Sequence, residues 1–250
     1  MMKSQSMVTR VAVVSGGSRR LGLFLTQKLL SEGWRVHVIT RSPSLDLKEL
    51  SCKHLFIHSF DDVTDSSYSC EMVSCMLQKI KKQEVRVHLL VNNASIFESD
   101  AAVFKKGWEA YEAMMFIHMQ LPALLIEGLK TYLADAIEPG NIISITDIYA
   151  QNPNQEFALY CSTKAGLESL TKSYAKKLAP DVRVNAVQPG PIKFLPEHDK
   201  DHQTAVLDQT LLSFEGGFWP IYQALQFILQ NNYLTGVSIP VDGGRSLVRG

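Results

Sequence analysis

The sequence predicts a single doubly wound α/β domain built on a seven-stranded parallel sheet. Short β-branched apolar runs alternate with amphipathic helical patterns from about Thr9 to the end of the chain. The first run, Val11 to Val14, passes through a Gly-rich turn straight into a helical pattern. No linker, internal repeat or low-complexity stretch divides the 250 residues. The strand connections are expected to be right-handed. Residues 1–8 are expected to be a disordered N-terminus, and 9–250 one domain.

Composition narrows the function classes. The chain is 46% apolar and 20% charged, as expected of a soluble globular protein with a sizeable core. Lys+Arg and Asp+Glu balance at 25 each, which gives no reason to expect nucleic acid or a membrane surface as partner. Cys52, Cys70, Cys75 and Cys161 lack a paired metal-ligand spacing. No metal site is expected, and the cysteines read as thiols of a reducing compartment. Met1 to Arg10 has no long apolar core, and no apolar run reaches the roughly 18 residues of a membrane span. The expected location is cytoplasmic.

The first strand, Val11 to Val14, runs into Ser15-Gly16-Gly17-Ser18-Arg19-Arg20-Leu21-Gly22. A helix follows, with Leu21, Leu25, Leu29 and Leu30 on one side, ending near Gly33. Strand, Gly-rich turn and helix make a Rossmann-type phosphate cradle. The glycines admit a pyrophosphate to the backbone, and the helix N-terminus supplies N–H groups and positive potential. The second strand is Arg35 to Thr40. A cofactor with a free ribose 2′-OH favours a carboxylate about 20 residues past the glycines. Here that place holds Thr40-Arg41-Ser42, with no carboxylate before Asp46. Arg41 with Arg19 or Arg20 could instead clamp a 2′-phosphate, so NADPH is expected over NADH. The alternative is that these arginines are solvated surface charges.

Leu55 to Phe60 reads as the third strand, followed by Asp61-Asp62-Val63-Thr64-Asp65. A carboxylate there could accept from an adenine amino group, or cap the helix expected at Glu71 to Lys82. Val85 to Val91 is the fourth strand, delivering Asn92-Asn93-Ala94-Ser95 to a position where backbone packs close to a ligand. Phe97 could stack on a flat ring above the sheet or tuck into the core. Trp108 to Leu129 reads as one long helix, apolar around most of its girth, with Pro122 expected to kink or break it. His118 lies inside it, either a satisfied core histidine or a functional one.

Asn141 to Ile145 is the fifth strand and carries Asp147 to the edge of the sheet. The next helix, Tyr160 to Leu178, holds Tyr160 and Lys164 one turn apart, so their side chains share a face. A phenol is too weak an acid for easy proton exchange at neutral pH. A neighbouring ammonium favours the phenolate, making the pair a plausible proton-transfer device. Taken alone, it could equally be a solvated helix face. Val182 to Val187 is the sixth strand, leading into Gln188-Pro189-Gly190-Pro191-Ile192, whose backbone could run beside a cofactor ring. Lys193 to Gly217 shows little regular pattern and reads as a functional loop. Ile221 to Gln230 is the last helix and Val237 to Val241 the last strand, closed by Asp242-Gly243-Gly244-Arg245.

In order and spacing, the Gly-rich turn, Asp62-Val63-Thr64-Asp65, Asn92-Asn93-Ala94, Tyr160-x-x-x-Lys164, Pro189-Gly190 and Asp242-Gly243-Gly244 resemble the short-chain dehydrogenase/reductase family, over about Thr9 to Arg245. Three departures from the usual pattern are similar to its pteridine reductase branch. Arg20 stands in place of a third glycine, Asp147 in place of a catalytic Ser thirteen residues before Tyr160, and Ala94-Ser95 followed by Phe97 in place of Ala-Gly. Lys176-Lys177-Leu178-Ala179-Pro180 and Glu197-His198-Asp199 look most like the bacterial dihydromonapterin reductases of that branch. His118 stands where many members have an Asn that holds a proton-relay water, and the bacterial pterin reductases share a His there.

The resemblance implies NADPH-dependent reduction of a dihydropterin (dihydromonapterin, with dihydrofolate or dihydrobiopterin as related substrates). It implies Asp147, Tyr160 and Lys164 as catalytic residues. Phe97 would sandwich the pterin against the nicotinamide, and Arg20 and Ser95 would bond its edge, beside Asp147 and Tyr160. Gly16, Ser18, Arg19, Arg20, Leu21 and Gly22 would hold the cofactor at the first turn, Arg41 and Ser42 at the second strand, and Asp62 near the adenine. Asn93, Ala94, Tyr160, Lys164, Pro189, Gly190 and Ile192 would complete that site. A loop of about 191–217 would meet the substrate tail. Family members pack as tetramers through the helices holding His118 and Tyr160, so a homotetramer is implied. Two other readings stay open: a carbonyl or 3-oxoacyl reductase of the same fold, and a non-catalytic NADPH-binding protein.

Overall fold

Strand propensity and two-sided burial set the architecture. In the computed structural model, which describes residues 9–50, 52–60, 66–196 and 198–248, the five inner strands are buried on both faces, the two outermost are only partly buried, and all pair in parallel. In chain order they are β1 (Val11–Ser15), β2 (Arg35–Thr40), β3 (Leu55–Ser59), β4 (Leu89–Asn92), β5 (Gly140–Ile145), β6 (Val182–Pro189) and β7 (Ser238–Val241). Among the described residues they form one seven-stranded sheet in the order β3-β2-β1-β4-β5-β6-β7. Alternate residues feed opposite faces. Val11 and Val13 enter one core with Leu90, while Ala12 and Val14 enter the other with Leu89 and Val91.

The helices are α1 (Arg20–Ser31), α2 (Leu45–Glu49), α3 (Ser66–Gln83), α4 (Asp100–Lys106), α5 (Glu109–Met115), α6 (Leu121–Leu133), α7 (Ala158–Leu178), α8 (Lys200–Asp208) and α9 (Trp219–Gln230). Leu25 and Leu29 of α1 and Ile221 and Leu225 of α9 close one core. Met76 and Ile80 of α3 and Leu125 and Leu129 of α6 close the other. Burying one such side chain contributes roughly 1.5–3 kcal/mol. The strand order reverses between β1 and β4, so the crevice beyond their carboxyl ends is where a ligand would enter. No described helix is long and apolar enough to cross a membrane.

The structure differs from the sequence reading in several places. The fourth strand begins at Leu89, not Val85, which is 98% exposed. The Val87 N–H bonds the Tyr132 carbonyl instead of a neighbouring strand. The helix expected from Trp108 is not uniform. Between α5 and α6 the chain forms a π-helical turn, Phe116–Gln120, in which the Leu121 N–H reaches the Phe116 carbonyl. Pro122 lies in the first turn of α6 and has no N–H to offer the His118 carbonyl, which leaves the preceding turn free to widen. The loop from Lys193 contains α8. Helix α4, capped by Ser99 accepting from the Ala102 N–H, is an element that the periodicity did not expose. Residues 1–8 and Asp62 lie outside the described residues.

A polar cluster crosses β2 and β3. His37 Nε2 lies 2.9 Å from Glu84 Oε1, and His37 Nδ1 2.9 Å from His58 Nε2. The carboxylate can only accept, so His37 donates to Glu84 and accepts from His58. Burial pushes both histidines down to about 4, with the Arg35 charge adding to it at His37 and the His37 and Lys79 charges at His58. The unfolded chain therefore binds protons below its ordinary value of 6.5 that the folded state refuses down to about 4. Stability is full above that window and falls through it as the pH drops, by an amount on the order of 3 kcal/mol. Burial raises Glu84, which shifts stability the other way and softens the fall. Urea midpoints measured across the window check this, and a flat profile would contradict it.

Candidate active site

The first turn is built on close backbone approach. Gly16 has φ +67°, and a Cβ there would sit 2.6 Å from the Ala94 Cα. A Cβ on Gly22 would sit 2.0 Å from the Gly16 carbonyl oxygen. The turn is thus pressed against the end of β4. The Asn93 side chain fastens it, donating to the Ser15 and Gly16 carbonyls at 3.0 and 3.1 Å. The Asn93 and Ala94 N–H groups both donate to Ser15 Oγ. Asn93, expected at a cofactor, thus also fastens two strand ends to each other.

Helix α1 opens above this turn with no acidic residue in its first turn, leaving its positive end available to an anion. Leu21 and Gly22 are buried in that turn, while Arg19 and Arg20 are exposed. Arg20 adopts φ +49°, a left-handed conformation that costs a non-glycine residue roughly 1–2 kcal/mol. Its guanidinium donates to the Lys193 carbonyl, joining the first turn to the loop after β6. Buried Ser18 donates to the Ser42 carbonyl at 3.0 Å and accepts from the Ser44 N–H at 2.7 Å. This tie holds the end of β2 beside the turn, with Arg41 and Ser42 both exposed there.

At the carboxyl end of β5, Asp147 Oδ1 caps the short turn Ile148–Ala150 by accepting from the Tyr149 N–H at 2.9 Å. Its Oδ2 accepts from the Tyr160 hydroxyl at 2.8 Å. Tyr160 and Lys164 are both buried, and the Lys164 ammonium sits 5.7 Å from the Tyr160 ring centroid. The ammonium donates to the Ile145 carbonyl at 3.1 Å. The expected electrostatics are reversed at the phenol. Burial, followed by the adjacent Asp147 carboxylate, pushes Tyr160 well above its ordinary value. Burial also raises Asp147, against the Tyr149 hydrogen bond and the Lys164 charge, and brings Lys164 down to about 8, with Asp147 opposing. The sequence named the right neighbours, but the phenol's partner is the carboxylate, because the ammonium points at the end of β5.

His118, carried by the π-helical turn, is fully buried and reaches the same place. Its Nδ1 is 2.7 Å from Thr163 Oγ1 and its Nε2 is 2.8 Å from Ser95 Oγ. Burial, then the Lys164 charge, holds it well below its ordinary value, so the ring is neutral. Ser95 is exposed and lies against the Tyr160 hydroxyl. Phe97 stacks on Phe157 at 4.6 Å and meets Tyr160 edge-on at 4.7 Å, yet stays 56% exposed. A flat face of Phe97 is therefore open. Phe157 and Thr163 had no motif to mark them. Each lies three residues from Tyr160, a helical neighbourhood that only the Tyr160 assignment would have drawn attention to.

Pro189 ends β6, and the Gly190 N–H bonds the Val241 carbonyl at 3.1 Å. The Ile192 carbonyl accepts from the Gly217 N–H, closing the base of the loop that carries α8. A cavity of about 450 Å³ opens under this loop, lined by Pro191, Ile192, Leu211, Leu212, Phe214 and the Gly243-Gly244 turn. Arg245 fastens α8 by donating to the Val206 carbonyl at 2.8 Å and to Gln209 Oε1 at 2.9 Å, and its charge reaches Asp147. The structure thus gathers Ser95, Phe97, Asp147, Tyr160 and Lys164 at one sheet edge and keeps Arg41 and Ser42 at the end of β2. It ties Arg20 to the loop. Among the described residues there is no cluster of His, Cys, Asp and Glu able to hold a metal.

Comparison with known proteins places this fold among the short chain dehydrogenases. The short chain dehydrogenase family matches residues 10–204. A dihydromonapterin reductase of Enterobacter sp. (strain 638) is 30% identical over 242 residues, covering 95% of this chain and 97% of that protein. One from Klebsiella pneumoniae is 28% identical over 239 residues, with the same coverage of both chains. A solved short chain dehydrogenase from Leptospira borgpetersenii, with bound NAD+, is 22% identical, has a TM-score of 0.82 and covers 95% of this chain and 93% of that one.

Proposed function

The chain belongs to the short-chain dehydrogenase family, and we propose that it reduces a 7,8-dihydropterin with NADPH. The observation that carries this reading is the Tyr160–Asp147 hydrogen bond of 2.8 Å beneath the open face of Phe97. A simple ketone needs one donor to its oxygen. A pterin needs a flat partner for its ring and acceptors for its ring N–H and amino groups. The Enterobacter and Klebsiella relatives, both named dihydromonapterin reductases, point the same way.

The residues fit the cofactor. The Gly16–Gly22 turn would take the pyrophosphate over the start of α1, with Ser18, Arg19, Arg20 and Leu21 around it. Arg41 and Ser42 would take the 2′-phosphate, since no carboxylate stands there to hold a bare ribose. Ala94, Pro189, Gly190 and Ile192, with Tyr160 and Lys164, would border the nicotinamide. A bound NADPH supplies the hydride to C6 of the pterin.

The protein's own residues manage the accompanying proton. Burial of Asp147 favours its uptake of a proton. A protonated Asp147 donates to Tyr160 Oη, which turns the phenol proton outward to N5 of the substrate. Lys164 fixes the end of β5 and carries positive charge beneath the pair. The cavity under the α8 loop suits the C6 tail.

The test is loss of NADPH absorbance with purified protein, comparing dihydromonapterin, dihydrofolate and a simple 3-oxoacyl ester, with NADH as control. Fast turnover of a dihydropterin with NADPH supports the reading. Turnover of the oxoacyl ester alone overturns it and leaves only the family.

A further inference from the structure

We infer that His118 fixes the direction of the Ser95 hydroxyl, so that Ser95 meets a substrate only as a hydrogen-bond acceptor. The inference deepens the dihydropterin reading and rests on it for the identity of the substrate. The polarity can be followed atom by atom. Thr163 Oγ1 lies 2.7 Å from the Tyr160 main-chain carbonyl. A carbonyl oxygen has no proton, so the Thr163 hydroxyl must donate to it. That hydroxyl has no second proton, so the contact of 2.7 Å to His118 requires His118 Nδ1 to be the donor. At the other end of the ring, the Ile96 N–H points at His118 Nε2 at 3.2 Å. An N–H cannot face a second N–H at that distance, so Nε2 carries a lone pair. Two independent contacts therefore select the same tautomer.

Ser95 Oγ is 2.8 Å from that bare Nε2 and must give it its proton. What Ser95 turns to the pocket is lone pairs alone. The Tyr160 proton is directed to Asp147 Oδ2 until the loaded pair turns it to the substrate, so Ser95 is the standing acceptor of the pocket. A ring bearing N–H or amino donors satisfies it. A ketone, which brings only lone pairs, leaves it unpaired beside its own oxygen. His118 is thus a positioning residue that selects donor-bearing heterocycles, and the π-helical turn places its ring between Ser95 and Thr163.

The experiment is done on the full chain in two parts. Nitrogen-15 NMR of the histidine-labelled protein, without substrate, reads the His118 tautomer directly. The expected result is a protonated Nδ1 and a bare Nε2. The opposite tautomer overturns the inference whatever the enzyme turns over. The second part compares Thr163→Val with Thr163→Ser. The valine removes the acceptor that fixes Nδ1, and the serine keeps it. We expect Thr163→Val to raise KM for dihydromonapterin about tenfold, the scale of one net hydrogen bond. NADPH binding and kcat should move little, and Thr163→Ser should restore KM. Loss of kcat and NADPH binding together, unrescued by serine, would mean a merely structural role and overturns the inference. The expected tautomer with no dihydropterin turnover upholds the Ser95 polarity and sinks the functional reading instead.

Discussion

Replacing Asp147 by Asn, or Tyr160 by Phe, is expected to lower NADPH-dependent dihydropterin turnover by about 100- to 10,000-fold, the range for loss of a positioned proton donor. NADPH binding should change little. The expectation follows from how the two side chains are held. Tyr160 is buried and its proton lies on the Asp147 side, 2.8 Å away. Phenylalanine keeps the ring against Phe97 and removes the hydroxyl. Asparagine keeps the shape, and its oxygen can still accept from the Tyr149 N–H. Its amide cannot take up and release a proton, so the relay cannot be reloaded. The two variants also differ in a pH profile. Because the protonated carboxyl is the loaded form, wild-type kcat/KM should fall as pH rises through the Asp147 titration, which burial moves upward. Asp147→Asn should lack that limb. Equal loss of turnover and cofactor binding in both variants would show that the pair supports the fold and not the reaction.

Replacing Arg41 by Asp should reverse the proposed preference for the phosphorylated cofactor. Hydrogen bonds to a charged group are each worth about 1.5–3 kcal/mol, so losing the guanidinium should weaken NADPH binding roughly 10- to 150-fold. The new carboxylate repels a 2′-phosphate and can accept from a ribose hydroxyl, so NADH should gain. Arg41 is exposed just past the last residue of β2, and its place is set by the Ser18 contacts to Ser42 and Ser44. The substitution should therefore leave folding intact. Dissociation constants for both cofactors, measured by fluorescence titration, check it. Parallel changes for NADPH and NADH would remove Arg41 from the phosphate site and leave the arginines as surface charge.

Much of this molecule was determined by the sequence alone. The alternation of buried runs with amphipathic helices dictates a parallel sheet, because strands covered on both faces must be apolar along their whole length. Glycine at positions 16 and 22 marks the turn where backbone packs on backbone, a demand no other residue meets. Asp147, Tyr160 and Lys164 were legible as one site because strand end and helix start both lie on the carboxyl edge. The boundaries of β4 and the helix α8 were not, since short segments carry too little periodicity to fix their ends. Nor could the sequence say where protons lie. Whether Lys164 or Asp147 governs the Tyr160 phenol depends on which group the ammonium reaches, and it reaches the Ile145 carbonyl. Whether His118 is core or site depends on a π-helical turn that rotates it between Ser95 and Thr163, 23 and 45 residues away in the chain. Residue types and spacing set what chemistry is available. Hydrogen-bond direction is a property of atoms brought together from distant segments, and only the tertiary structure decides it.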